Sequence, residues 1–240
     1  MLEHFLCAAD LKHATRVFEK LKRHDLSNFA LTGGFATEMY CLQHERQPLR
    51  RPLNDIDFIV DSFDRIPESL ADEFLFRHVH PWDPPGKTLL QLVDPDHALR
   101  IDIFRADGNT MLRTRTIYYM DQAIRLISLE DLTARAARLT LDMGGNVQTP
   151  FKYARDFLRL VELIDPEDVE AAWRDQRKPG HPATFREANT LLQSLIPARP
   201  HLLITPEYSK DPEEICPRCA STSAFPLTDP RVMLSLLGYC

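Results

Sequence analysis

Two rhythms of apolar and polar positions run along the chain, and one gives way to the other near residue 128. Over residues 5–23, Phe5, Leu11, Ala14, Val17, Phe18 and Leu21 recur at helical spacing and predict an amphipathic helix. FALT at 29–32 is a short apolar strand that runs into Gly33-Gly34, and residues 35–43 then carry a helical pattern. Residues 46–53, RQPLRRPL, read as a basic loop punctuated by prolines. DIDFIV at 55–60 is a second strand, and the stretch SFDRIPESLADEFLFR after it contains a short helix. Apolar runs at 88–93 and 98–104 flank Asp94-Pro95-Asp96-His97, a hairpin signal in which the proline fixes one turn angle. Short β segments are expected at 116–120 and 123–127.

From Ser128 onward the period is helical. SLEDLTARAARL opens with Ser128 as a cap and acidic residues in the first turn, where the helix dipole favours them. Residues 151–164, 167–176 and 184–195 continue in the same texture. The pattern predicts an α+β chain: a small mixed sheet with flanking helices over residues 1–127 and a helical domain over 128–196. A proline-rich, aperiodic extension over 197–240 either wraps the body or carries a partner site.

Composition narrows the class. The chain has 240 residues, 44% hydrophobic and 27% charged, as soluble globular proteins do. A net charge of −6 argues against a surface that binds nucleic acid throughout, which leaves Arg46, Arg50 and Arg51 as a local basic cluster. No apolar run reaches the roughly 18–20 residues needed to span a bilayer, and the charged N-terminal stretch is unlike a signal peptide. A cytoplasmic protein is expected. The five cysteines, at 7, 41, 216, 219 and 240, do not form a disulfide pattern. Cys216 and Cys219 have metal-knuckle spacing, but a zinc site needs about four ligands and only Cys240 and His201 are near. A turn with two free thiols is preferred to structural zinc.

The candidate chemistry starts at LNDIDFIV. Strand alternation sends Asp55 and Asp57 to one face and Ile56, Phe58 and Val60 to the other. Two carboxylates so close repel each other and resist desolvation, so a metal ion, basic partners or exposure must offset them. Asp102 in LRIDIF is a third carboxylate within an apolar strand. If the two strands are neighbours, the three converge on a site suited to one or two Mg²⁺ ions. Gly33 and Gly34 let the backbone approach a ligand, and the helix start offers amides to phosphate. The plain alternatives are a tight turn for the glycines, solvated charges for Asp55 and Asp57, and an ion pair with Arg100 or Arg105 for Asp102.

The order LTGG, RPLNDIDFIV, LRIDIF resembles the nucleotidyltransferase superfamily that shares its fold with DNA polymerase β. Within it the pattern is most like the bacterial AbiEii-type group and the minor aminoglycoside and lincosamide nucleotidyltransferases. Arg51 stands where their pattern has an arginine, whereas Leu53 replaces the usual Thr or Ser. The gap from Gly33 to Asp55 is longer than in compact members. ISLEDLTARAARL and FKYARDFLRLVEL are similar to two helical segments of the family, with Arg135 or Arg138 in place of a usual lysine and Lys152 and Asp156 matching the second segment. The resemblance covers roughly residues 29–163.

It implies a nucleotidyltransferase core followed by a helical domain, with a cleft between them. The implied activity is transfer of NMP from an NTP to a hydroxyl, with release of pyrophosphate. Asp55 and Asp57 would hold the nucleotide-bearing metal, Asp57 the catalytic metal too, and Asp102 would help deprotonate the acceptor as ligand or base. Gly33 and Gly34 would cradle phosphate, Thr32 or Thr37 would add a hydroxyl, and Arg51 and Lys152 would neutralise pyrophosphate, with Asp156 holding the lysine or a neighbouring basic group. The acceptor could be a small molecule, a protein side chain or an RNA end; a protein partner or a second copy is compatible with the sequence. The competing reading is a non-catalytic scaffold of the same fold that uses its C-terminal extension for a partner. A phosphohydrolase is disfavoured, because no His-Asp cluster accompanies the carboxylates and His78 and His80 read as surface residues.

Overall fold

A computed structural model of the protein describes residues 2–50, 52–79, 89–119, 122–143, 152–203, 223–229 and 231–232. A 3₁₀ turn at Leu2–His4 precedes helix α1 (Ala8–Leu21), so the predicted first helix begins later than its periodicity suggests. Cys7 takes the N-cap place, its Sγ accepting from Asp10 N at 3.4 Å, and Ala14, Val17, Phe18 and Leu21 form the buried face. Strand β1 (Phe29–Leu31) is buried throughout. Helix α2 (Gly33–Gln43) follows at once and is buried continuously from Phe35 to Cys41, because it packs against the sheet on one side and helices on others. That all-round burial removes the polar face that makes most helices legible.

Strand β2 (Asp55–Val60) leads through a 3₁₀ turn and the one-turn helix α3 (Leu70–Glu73) into β3 (Leu75–Val79). Strand β3 is not among the elements expected from the sequence. Its signal is the pair Phe74 and Phe76, both buried, which alternates too briefly beside half-buried Leu75 and Arg77. The predicted hairpin forms as β4 (Leu89–Val93) and β5 (Arg100–Arg105), antiparallel with Gln91 opposite Asp102. Its turn is closed by Asp94 N on Leu99 O (2.8 Å) and Ala98 N on Asp94 O (2.9 Å), with Ala98 at φ +55°. The buried Asp94 carboxylate also takes Lys20 Nζ from α1 at 2.5 Å. Strands β6 (Arg115–Tyr119) and β7 (Gln122–Leu126) complete the sheet.

The seven strands lie in the order β3-β4-β5-β2-β1-β7-β6. The pairs β2–β5 and β1–β7 are parallel and the rest antiparallel. Helices α4 (Leu129–Met143), α5 (Lys152–Val161), α6 (Glu170–Gln176) and α7 (Phe185–Ala198) form the helical half, α7 opening on a capping box between Thr184 and Glu187. One contiguous apolar core runs from the sheet into these helices, where Trp173 and Phe157 each meet Phe185 edge-on at 6.0 and 6.5 Å between ring centroids.

Two polar knots tie the halves together. Asp131, fully buried, holds Arg113 through Nε (2.8 Å) and Nη2 (2.7 Å), and it also receives the Thr110, Ser128 and Gln176 side chains. Ser128 Oγ in turn accepts Asp131 N at 3.0 Å, which is the predicted helix cap. Glu38 of α2, only 1% exposed, forks onto Arg159 of α5 at 2.7 and 2.8 Å. The same carboxylate accepts Leu49 N at 2.8 Å, and Asp10 of α1 accepts Leu53 N at 3.2 Å, so the basic loop is fastened at its middle and at its C-terminal end.

Phe225 exchanges two backbone bonds of 2.9 Å with Phe76, placing part of the C-terminal extension on the outer edge of β3. Cys216, Cys219 and Cys240 lie outside the described residues, so the zinc question does too. Among the described residues, no helix is long and apolar enough to cross a membrane.

Candidate active site

The parallel register of β2 and β5 builds the site. It pairs Asp57 with Asp102 and Asp55 with Arg100, so all four side chains emerge on one face of two neighbouring strands. Asp55, Asp57 and Asp102 each offer an oxygen within 4.8 Å of the others, and they are the one such cluster among the described residues. Ile56 and Ile101, the intervening pair, are fully buried on the opposite face. The expected convergence of three carboxylates is therefore present.

The glycine turn abuts it. Thr32 N donates to Asp57 O at 2.9 Å, which sets the end of β1 against β2, and Gly33 follows at φ +64°. A β-carbon at Gly33 would overlap the Asp57 carboxylate, whereas Gly34 faces open space. Gly33 is thus required twice, by its left-handed backbone and by the carboxylate pressed against it. Gly33 and Gly34 also begin α2, whose unpaired first amides and positive dipole end lie at the same place. Thr32 Oγ1 is buried without a hydrogen-bond partner, while the Thr37 hydroxyl donates to Gly33 O at 3.1 Å.

Arg100 was foreseen only as a plain ion-pair partner for Asp102, and it is more than that. Its Nη2 donates to Asp55 Oδ2 at 2.5 Å and its Nε stands 2.8 Å from Asp102 Oδ1, with 12% of the side chain exposed. The like charges that looked unexplained in the sequence are offset by a basic partner already in the fold. Burial pulls the Arg100 pKa down, but Asp102, Asp55 and Asp57 outweigh it and hold the guanidinium above its ordinary value. Burial pushes the Asp102 carboxyl up to about 7; Arg100 opposes the rise, and Asp55 and Asp57 add to it. Gln91 of β4 donates to Asp102 Oδ1 at 3.2 Å, and its own buried Oε1 has no partner.

Arg135 of α4 lies with its guanidinium 4.5 Å from the Phe104 ring centroid. Burial lowers its pKa, the neighbouring Arg138 adds to that, and the charge of Asp57 opposes it. Arg138 itself pairs with Asp107 at 3.3 Å. Of the two residues matched to the missing lysine, Arg135 is the one left with an aromatic face and no carboxylate within ion-pair distance among the described residues. Lys152 opens α5 and its side chain is outside the described part, as is the whole of Arg51. Asp156, one turn further along α5, is buried.

The donor set suits a divalent cation. Three carboxylates within reach of one another match the oxygen preference of Mg²⁺, and Gln91 Oε1, on the side chain that donates to Asp102, is a buried oxygen without a hydrogen-bond partner. What opposes occupation is Arg100.

No family model matches the chain, and no curated protein matches it by sequence. Among solved structures it is similar to the antibiotic-resistance factor ANT(2'')-Ia, with a TM-score of 0.50 and 15% identity over 77% of this chain and 97% of that one. An antigenic nucleotidyltransferase-like protein from Paracoccidioides brasiliensis gives 0.45 and 18% over 82% and 92%. The Megavirus polyadenylate synthase gives 0.41 and 10% over 84% and 48%. With a strand–glycine–helix turn beside a three-carboxylate sheet face, this chain has the nucleotidyltransferase fold.

Proposed function

We propose that the protein is a metal-dependent nucleotidyltransferase that moves NMP from an NTP to a hydroxyl and releases pyrophosphate. The convergence of Asp55, Asp57 and Asp102 beside the Gly33 turn carries this reading. Asp55 and Asp57 hold the divalent cation, with Asp102 completing the set. Such an ion, when bound, screens the phosphate charge and lowers the pKa of the attacking hydroxyl. Asp102 receives the hydroxyl proton as the acceptor oxygen bonds to the α-phosphorus and the bond to the bridging oxygen breaks. Burial and the charges of Asp55 and Asp57 favour the protonated Asp102 carboxyl, which stabilises it once it has taken the proton, and a cation on Asp55 and Asp57 offsets part of that bias.

The first amides of α2 at Gly33 and Gly34 donate to phosphate oxygens, and Thr32 Oγ1 supplies a further contact. Arg135, stacked on Phe104, neutralises the departing pyrophosphate together with Lys152 and Arg51, and Asp156 orients the lysine. Thr37 supports the turn through its bond to Gly33 O.

The second reading, a scaffold without catalysis, draws on Arg100: a permanently paired guanidinium would make the carboxylates stable with no metal at all. One experiment separates the two. Labelled ATP, CTP, GTP and UTP are incubated with cell extract and either the wild type or Asp55→Ala/Asp57→Ala. Transfer of label by the wild type alone establishes the transferase, and the size of the labelled product tells a small-molecule acceptor from a protein or an RNA end. Identical labelling by both sinks the reading and favours the scaffold.

A further inference from the structure

Arg100 is the group that stands between this site and a metal ion. It comes from β5 two residues before Asp102, on the same face, and opposite Asp55 in the register. One fork therefore spans two of the three carboxylates. The span is imperfect. Nη2 makes a short hydrogen bond to Asp55 Oδ2, but Nε, although 2.8 Å from Asp102 Oδ1, has no acceptor aligned with its N–H and is buried. Gln91 Oε1, on the other side of Asp102, is likewise buried and unpartnered. The Arg100 Nε contact to Asp102 is thus ionic with poor alignment, and Gln91 Oε1 is an acceptor free to take part in a rearranged site.

We propose that Arg100 is a tethered counter-cation that competes with the divalent ion for Asp55 and Asp102, so that metal binding and release of this guanidinium are a single coupled step. The proposal rests on the metal-site reading above and adds what sets the affinity of that site. When all three are ionised the carboxylates carry three negative charges, and Arg100 cancels one of them at hydrogen-bond range. A dication placed among the same oxygens faces the guanidinium's positive charge at close range, in surroundings where Coulomb interactions are much stronger than in water. Both cannot keep the same carboxylate oxygens. The cation must displace an arginine before it gains its ligands, which makes the resting site weak for free metal and stable without it.

The test is direct metal binding by the full chain, stripped of metal, with Mn²⁺ as the probe and its free signal followed by electron paramagnetic resonance. Wild type is compared with Arg100→Met, Arg100→Lys and Asp57→Asn. Arg100→Met is expected to tighten Mn²⁺ binding by about tenfold or more, since it removes the competing charge, and Arg100→Lys to tighten it less. Asp57→Asn is expected to weaken it. Unchanged affinity in Arg100→Met, with Asp57→Asn weakened, overturns the proposal and leaves the metal site standing. Absence of Mn²⁺ binding in all four proteins overturns both. Should Arg100→Met fail to fold, the wild type answers alone: in a Mg²⁺ titration followed by arginine Nε–H NMR, the Arg100 resonance must move in step with occupancy. A resonance that stays fixed at saturating Mg²⁺ refutes the coupling.

Discussion

The Cα of Gly33 points the place of its missing side chain straight into the carboxylate of Asp57. Gly33→Ala therefore meets two penalties, a left-handed backbone worth about 1–2 kcal/mol to an L-residue and a displaced carboxylate. The expected result is a thermal midpoint lowered by several degrees and loss of Mn²⁺ binding. Gly34→Ala is the control. Its β-carbon meets nothing, and a helical Ala is favoured over Gly by about 0.5–1 kcal/mol, so the midpoint should hold or rise.

The Asp102 carboxyl gives a pH signature. Its folded pKa of about 7 lies above the ordinary 3.8, so the folded protein keeps a proton that the unfolded chain releases between those values. Stability from this group is full below the lower value and is lost as pH rises through the upper one. Metal-free protein should thus melt at a higher temperature at pH 6 than at pH 8. Saturating Mg²⁺, by favouring the charged carboxylate, should flatten or reverse that slope. Differential scanning calorimetry with and without the ion measures both.

Glu38 is buried and its fork onto half-buried Arg159 joins α2 to α5, so removing either partner weakens that joint. Glu38→Met is expected to cost about 1–3 kcal/mol in a denaturant melt, because it removes a buried carboxylate that accepts two Arg159 bonds and Leu49 N, although Arg159 keeps its bond to Gln47 O. Arg159→Met should cost a similar amount. The double variant should lose clearly less than the sum, and a strictly additive result would show that the pair is not coupled.

Arg135 separates binding from stability. Its guanidinium lies over Phe104 without an ion pair among the described residues, and Met keeps much of the apolar stem, so Arg135→Met should cost the fold less than about 2 kcal/mol. If it meets the polyphosphate of the substrate, the same change should weaken NTP binding by about tenfold or more, at the 1.5–3 kcal/mol typical of charged hydrogen bonds. Isothermal titration with a non-hydrolysable NTP alongside a melt reads both, and an unchanged affinity removes Arg135 from the phosphate-binding set.

Much of this architecture could be read from the chain because its signals were local. The strand into Gly33-Gly34, the alternation of Asp55 and Asp57, the Asp94–His97 turn and the Ser128 cap each depend on residues a few positions apart. What was illegible depended on neighbours in space. That β2 lies beside β5, and in the register that faces Asp57 to Asp102, is a property of the sheet order and appears in no window of the sequence. Arg100 looked like one of two flanking arginines until the register set it opposite Asp55. Nothing around Glu38 in the sequence marks it, and its partner Arg159 lies 121 positions away on α5. The start of α2 was placed at residue 35 because glycine disfavours helix, yet packing and the demand for a bare backbone beside Asp57 override that preference.

The position of β1 in the sheet has a consequence for how the chain comes to fold. This three-residue strand lies between β2 and β7, bonded antiparallel to one and parallel to the other, and it delivers the Gly33 turn to the carboxylates. Its second neighbour, β7, comes about ninety residues later in the chain. Until residue 126 is available, β1 has one open side, and its three residues form too short a ladder to stay in place on a single neighbour. The carboxylate face is then assembled late, as a product of long-range closure, and a chain interrupted before β7 would carry all three aspartates without ever bringing the turn to rest against them.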